Sequence, residues 1–279
     1  MTLATRYVVF SDLDGTLLDA VTYSHGAADE ALNELRSHHI PLVLVSSKTR
    51  AEMEPLRFRL RLEHPFVVEN GGGIVIPKGY FAFPLEEAVL RGEYQVVDRG
   101  VPYARLRAVL QELQQSFGRE LRGFGDMTSE EIAQHTGLSI TEAHLAKQRE
   151  YDEPFLLEAP SERLEQMRRE AHARGLQCVG GGRFFHLMGM QDKGAAVRLL
   201  AGWYGRHYGG DEHRPLTVAI GDSPNDLSMF QAVDIPVLVQ RPDRSYDDRL
   251  QLPQLVRSPA PGPVGWNNSV LKLLREGAP

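Results

Sequence analysis

The sequence is short of the features that define several large classes of protein. It has one cysteine, Cys178, among 279 residues, so no internal disulfide can form. Without an activating neighbour, that thiol reads as a small apolar side chain rather than a nucleophile. No apolar run is long enough to span a bilayer. The opening MTLATRYVVFSD has neither the apolar core nor the small-residue cleavage site of a secretory leader, so a cytoplasmic protein with no membrane partner is expected. Positive charge is not in excess: the formal net charge is −6, which argues against a nucleic-acid partner. The locally basic RFRLRLEH (57–64) reads as a helix end or a solvated face. Lysine is rare, occurring only at 48, 78, 147, 193 and 272, and no internal repeat or low-complexity tract is visible.

What remains is the composition of a soluble globular protein, 42% hydrophobic and 24% charged. The length suggests two domains, or one core with a large insertion. In the first third, short apolar strands alternate with helices. YVVF precedes a helix with Ala28, Ala31, Leu32 and Leu35 on one face, PLVLV (41–45) precedes a helix in SSKTRAEMEPL, and FVV and GIVIP flank the turn ENGG. The same grammar returns in DKGAAVRLLAGWYGRHY (192–208), LTVAI (216–220), NDLSMFQAV (225–233), IPVLV (235–239) and the closing helix GWNNSVLKLLREG. It predicts an α/β fold, a doubly wound parallel sheet built from residues 1–83 and 190–279. Residues 84–189 differ in texture. They contain the helix YARLRAVLQELQQSFG, capping-box spacings at Thr128/Glu131 and Ser139/Glu142, the strand PFLLEA, the helix SERLEQMRREAHARG and a hairpin around Gly180–Gly182. This stretch predicts an α/β cap inserted into the core. The Pro-rich SPAPGPVG (258–265) is expected to be a loop.

In parallel α/β sheets, ligands bind beyond the carboxyl ends of the strands. Four polar clusters fall at such places: Asp12 and Asp14 after VVFS, Ser46-Ser47-Lys48 after LVLV, Gly221-Asp222 after LTVAI, and Lys193 at a helix start. Each has a plain structural explanation. Asp14-Gly15 could be a turn, Asp222 a helix-terminal acid, Asn225 and Asp226 caps, and the serines caps as well. Those explanations leave their meeting at one sheet edge to coincidence. Together the clusters suit phosphoryl transfer. The Asp12 carboxylate can attack phosphorus, and Asp14 can protonate the leaving oxygen and then deprotonate water, oriented by Thr16. Mg2+ held by Asp12 and Asp222 would suppress the phosphate's repulsion, while Lys193 adds fixed charge and Ser46 a hydrogen bond. Two of the five lysines fall in these clusters, where a compact ammonium suits phosphate.

DLDGT (12–16), the serine after LVLV, Lys193 in QDKG, and GDSPND (221–226) resemble the four ordered motifs of the haloacid dehalogenase superfamily of phosphotransferases. The insertion resembles the large α/β cap of its sugar-phosphatase branch. The resemblance implies Asp12 as nucleophile, Asp14 as acid/base, and Ser46 and Lys193 as phosphate ligands. It also implies Mg2+ bound by Asp12, the backbone carbonyl of Asp14, and Asp222, with Asn225 and Asp226 supporting that shell.

Finer stretches are similar to the mannosyl-3-phosphoglycerate phosphatase family: SSKTRAEME (46–54), VVENGGGIVIP (67–77), GGRFFHLMG (181–189) and GPVGWN (262–267). Related sugar phosphatases more often carry Thr-Gly-Arg where this chain has Ser46-Ser47-Lys48. The narrower resemblance implies release of the compatible solute mannosylglycerate from a phosphorylated glycoside, the mannosyl or the glucosyl form. It implies substrate contacts at Ser47, Lys48, Glu69, Asn70, Gly71 and Asn225, and a clamp on the glycerate carboxylate at Arg183. For Glu69 and Asn70 the alternative is an ordinary Asn-Gly hairpin turn, and His186 reads as a packed edge residue. A phosphomutase or general hexose-phosphate phosphatase of the same superfamily remains open. So does a non-enzymatic sugar-phosphate sensor, against which the paired Asp12 and Asp14 argue. The oligomeric state is not legible.

Overall fold

Short apolar strands and amphipathic helices alternate along most of the chain, in a computed structural model that describes residues 6–158, 160–181, 184–210 and 213–277. The first run is β1 (Tyr7–Ser11), α1 (Asp29–Ser37), β2 (Leu42–Val45), α2 (Arg50–Arg59), β3 (Phe66–Val68), β4 (Gly73–Pro77), β5 (Val89–Arg91) and β6 (Tyr94–Asp98). The second is α3 (Tyr103–Phe117), β7 (Leu121–Gly123), α4 (Ser129–Thr136), α5 (Ile140–Ala146), β8 (Asp152–Leu157), α6 (Ser161–His172), β9 (Gln177–Gly181) and β10 (Phe184–Met188). The third is α7 (Lys193–His207), β11 (Leu216–Gly221), α8 (Leu227–Phe230), β12 (Ile235–Gln240), β13 (Val256–Pro261) and α9 (Gly262–Glu276).

The first and third runs share a nine-stranded sheet in the order β13-β12-β11-β1-β2-β3-β4-β6-β5. Strands β13 to β3 are parallel, and β4, β6 and β5 add an antiparallel edge. Side chains alternate along the central strand because the strand repeat is two residues. Tyr7 and Val9 pack with Leu32, Leu35, Met53 and Trp266 from α1, α2 and α9, while Val8 and Phe10 pack with Val197, Leu200, Tyr204 and Phe230 from α7 and α8. This is the doubly wound α/β arrangement.

The middle run forms a separate four-stranded antiparallel sheet, β7-β8-β10-β9. α3 and α6 cover one face through Leu106, Leu110 and Met167 against Phe155 and Leu187. Both capping boxes form, at Thr128/Glu131 and Ser139/Glu142. Cys178 packs beside the cap core, and burial pushes its thiol up to about 12.

Two expectations differ from the structure. Residues 89–98, assigned to the insertion by the boundary at 84, are the hairpin β5–β6, hydrogen-bonded to β4 in the large sheet. The chain leaves that sheet after Asp98 and returns with Lys193. SPAPGPVG is not a loop: Pro259 and Pro261 lie in β13, an edge strand where a missing N–H is tolerated, and Pro263 sits in the first turn of α9. RFRLRLEH is the helix end it was read as, since α2 stops at Arg59, though Arg57 itself turns inward: its Nη2 donates to the His64 carbonyl at 2.6 Å and its guanidinium lies 4.2 Å from the Phe66 ring centroid. No helix among the described residues is long and apolar enough to cross a membrane.

The largest fully buried side chain, Trp266, ties α9 to the end of β1. Its Nε1 donates to Ser11 Oγ at 2.9 Å, and that hydroxyl donates to the Asp12 carbonyl at 2.7 Å. Next to it, Asn267 Oδ1 accepts from the Ala31 amide at 2.9 Å and anchors α1. Trp266→Ala should lower stability by about 3–5 kcal/mol, the range for emptying a buried aromatic site. Urea unfolding followed by circular dichroism checks this, and a loss below about 1 kcal/mol contradicts the assigned role.

Candidate active site

The ladder explains why the acids meet. β1 and β11 are parallel neighbours with Ser11 opposite Ile220, so Asp12 and Asp222 leave the sheet side by side. β2 flanks β1 on its other side and delivers Ser46, whose Oγ accepts from the Lys48 amide at 3.2 Å. α7 starts at the same edge, with Asp192 Oδ1 accepting from the Ala195 amide at 2.7 Å. Its first residue, Lys193, is 1% exposed and donates to Asp12 Oδ1 and to Asp226 Oδ1, each at 2.7 Å.

Asp226 is the most engaged of the three acids, because its Oδ2 also accepts from the amides of Asp222 and Ser223 at 3.1 and 3.2 Å. Asp12 Oδ2 makes no hydrogen bond among the described residues. Asp222 is steadied by Thr16 Oγ1, 3.3 Å from its Oδ1. Ligand atoms of Asp12, Asp222 and Asp226 all lie within 4.8 Å of one another. Gly15 is required where this cluster meets the turn after Asp14. Its φ is +75°, and a Cβ there would stand 2.8 Å from Asp222 Oδ2.

One ammonium answers three crowded carboxylates in a buried site. Burial raises the Asp12 carboxyl well above its usual value, opposed by Lys193 and reinforced by Asp226 and Asp222. Burial, then Asp226, pushes Asp222 up to about 7. Burial works against the charge on Lys193, but Asp12 and Asp226 outweigh it and raise its pKa. Oxygen donors with uncompensated negative charge suit a hard divalent cation.

Asp14 lies beyond the triad. Its Oδ2 is 2.9 Å from Lys48 Nζ, while its enclosed Oδ1 has no partner among the described residues. Two cavities meet here. One of about 400 Å³ is walled by Asp14, Ser47, Lys48, Phe124, Arg149 and His186. The other, about 910 Å³, is walled by Ser47, Asn70, Lys193, Asp222, Asn225 and His186, among others. A buried carboxylate, an ammonium beside it and a second carboxylate two residues on are the parts that nucleophilic displacement at phosphorus requires.

Known proteins agree with this chemistry. A sequence profile of the haloacid dehalogenase-like hydrolases matches residues 9–86. A glucosyl-3-phosphoglycerate/mannosyl-3-phosphoglycerate phosphatase from Methanococcoides burtonii is 44% identical over 269 residues, 96% of this chain and 97% of that protein. A mannosyl-3-phosphoglycerate phosphatase from Pyrococcus furiosus is 39% identical over 232 residues, covering 83% and 90%. The chain belongs to the mannosyl-3-phosphoglycerate phosphatase family of haloacid dehalogenase-like hydrolases. A Thermoplasma acidophilum crystal structure shares the fold, with a TM-score of 0.68 at 19% identity over 97% of this chain and 98% of that one. So does the sucrose-phosphatase of Synechocystis, with a TM-score of 0.57 at 15% identity over 96% and 97%.

Of the residues that the resemblance to this phosphatase family singled out, Asp12, Asp14, Ser46, Lys193, Asp222 and Asp226 converge, with Ser47, Lys48, Asn70 and Asn225 on the cavity walls. Glu69 does not join them. It is fully buried, and its two carboxylate oxygens accept from the amides of Glu150 and Tyr151 at 2.9 and 2.8 Å, which clasps the inserted module to the core. Gly71 is also spent on packing: at φ +95°, a Cβ would lie 2.2 Å from the Asp192 carbonyl. Arg183 lies outside the described residues. His186 lines both cavities instead of packing at an edge, with Nδ1 2.7 Å from Asp152 Oδ2. Arg149 was missed. QREYDE (148–153) reads as a charged linker, and nothing in it shows that one guanidinium turns inward.

Burial pushes the Glu69 carboxyl up to about 8 from 4.5, outweighing Arg149 and the two amide donors. The folded state therefore holds this proton more tightly than the unfolded chain. The stabilisation is complete below pH 4.5 and is lost as pH rises through about 8. Denaturation midpoints should fall between about pH 5 and 8.5, and Glu69→Gln should flatten that slope. Parallel profiles for the two proteins would assign the dependence to other groups.

Proposed function

We propose that this protein is a Mg2+-dependent phosphatase that converts mannosyl-3-phosphoglycerate, and its glucosyl counterpart, to the glycosylglycerate and phosphate. The reading places it in the cytoplasm, in compatible-solute synthesis, with the inserted module as the cap that selects the glycoside. The observation that carries it is the buried Asp12–Lys193–Asp226 cluster with Asp222 beside it. The names of the relatives supply the substrate class.

Lys193 holds Asp12 by Oδ1 and leaves Oδ2 to attack phosphorus, forming an aspartyl-phosphate as the ester P–O bond breaks. Asp14 gives its proton to the departing glycerate oxygen. It then takes one from the water that attacks the aspartyl-phosphate, so that phosphate leaves and Asp12 is restored. Ser46 donates to a phosphoryl oxygen. Mg2+ would be held by Asp12, Asp222 and the Asp14 carbonyl, with Asp226 supporting them, and would supply neutralising charge. The supporting role given to Asp226 rests on its Oδ2, which already accepts from two amides.

Phosphate release should be fastest from the two glycosyl-3-phosphoglycerates, slow from simple hexose phosphates, and lost when the metal is chelated. Asp12→Asn should fall by about 1000-fold or more while keeping the wild-type circular dichroism spectrum. Substantial turnover by that variant, or faster release from a hexose phosphate, would sink the assignment.

A further inference from the structure

The Asp14 side of the site contains cationic groups that the hydrolysis itself does not use. We propose that the smaller cavity receives the carboxylate of the substrate's glycerate, with Lys48 and Arg149 as its ligands, while the sugar occupies the larger cavity. This rests on the phosphoglycerate reading above.

Connectivity sets the first constraint. The ester oxygen must reach both Asp12 and Asp14, and in 3-phosphoglycerate the carboxylate carbon is two carbons from the one bearing that oxygen. It must therefore lie close to Asp14. Asp14 lines the smaller cavity, and its ion-pair partner Lys48 stands in the same wall. An ammonium has three N–H donors, and Lys48 spends one on Asp14 Oδ2 at 2.9 Å; no second hydrogen bond forms among the described residues.

Arg149 supplies the second cation. Its Nε donates to the Ala146 carbonyl at 2.8 Å, and Nη1 donates to the Ser47 carbonyl at 2.9 Å and stands 3.5 Å from Asp152 Oδ2. These contacts fix the plane of a guanidinium that is only 7% exposed and lines the same cavity. Nη2 has no hydrogen-bond partner among the described residues. A fixed guanidinium edge with free donors matches a carboxylate. The acids facing the cavity are Asp14 and Glu52. Glu52 Oε2 is engaged by the Thr49 amide at 2.8 Å and the Thr49 hydroxyl at 3.0 Å.

The larger cavity is built differently. Lys193 is held between two carboxylates, Asp12 and Asp226, and Arg241 and Arg249 share the buried Asp247, whereas Lys48 and Arg149 each meet one carboxylate and keep N–H donors unspent. Away from Lys193 and Asp222, where the phosphoryl group would sit, its wall carries the amides Asn70, Gln177, Gln191 and Asn225 and the carboxylate Asp192. Asn70 Oδ1 and Gln191 Oε1 are enclosed without partners among the described residues. Neutral donors and acceptors of this kind suit hydroxyls rather than an anion.

The test compares a glycosyl-3-phosphoglycerate with the same glycoside of glycerol phosphate, in which CH2OH replaces the carboxylate. The wild type should favour the acid in kcat/KM by about 100-fold. Lys48→Met and Arg149→Met should each shrink that ratio by about tenfold or more, chiefly through KM for the acid. Arg149→Lys keeps the charge without the fork and serves if Arg149→Met does not fold. Folded variants that retain the wild-type ratio, even with lower activity on both compounds, overturn the carboxylate seat. So does a wild type that does not discriminate. A wild type that hydrolyses neither glycoside removes the phosphatase reading as well, and that result is distinguishable because it needs no variant.

Discussion

The site depends on one ammonium placed where it is electrostatically uncomfortable. Lys193 is the first residue of α7, at the positive end of the helix dipole, and it is removed from water. Either circumstance alone disfavours a cation. Asp12 and Asp226 offset both by meeting Nζ at 2.7 Å each. A buried ion cluster is tolerated only with such geometry. The backbone around it is correspondingly tight: Gly71 lies under the Asp192 carbonyl, and a Cβ at Gly194 would sit 2.1 Å from the Ser228 carbonyl. The end of β1, the turn after β11 and the start of α7 thus fix one another through three side chains.

A short strap, residues 145–151, carries several of the hydrogen bonds that register the inserted module on the core. Thr49 donates to the Leu145 carbonyl at 3.0 Å, Arg149 to Ser47, Arg50 to Glu150 at 3.0 Å, and Glu69 accepts from Glu150 and Tyr151. Most of these core partners lie between β2 and the first turn of α2 or in the turn after β3, close to Ser46, Lys48 and Asn70, and the β5–β6 hairpin adds Arg91, which donates to the Tyr151 hydroxyl at 3.0 Å, and Asp98, which accepts from it. Docking of the module and the walls of the cavities therefore share residues, Ser47 and Arg149 among them. A substrate bound between them meets a frame fixed on both sides.

Much of this was legible beforehand, for identifiable reasons. The α/β fold followed from buried runs such as YVVF and LTVAI, and the meeting of the acids followed from their places just beyond those runs, at positions that strand pairing brings together. Harder to read was anything decided by the third dimension. Glu69 carries a charged side chain in a turn that resembles a substrate loop, yet its environment is the interior. Arg149 sits in a linker, and its inward turn is fixed by the Ser47 carbonyl, distant in sequence. β5–β6 escaped notice because an edge hairpin is half exposed and lacks the continuous apolar run of a central strand. β13 was hidden by its prolines, which mark loops more often than strands.

Those prolines have a consequence for the molecule in a crowded solution. A nine-stranded sheet ends in two edges that could each recruit a strand from another chain. At β13, Pro259 and Pro261 remove two donors from the margin, so an incoming strand would meet carbonyls without matching N–H groups. At the other margin, β5 is three residues long, too short to template extended pairing. Both ends of the sheet are blunted, and the wide platform that aligns Asp12 with Asp222 is built without becoming a seed for aggregation.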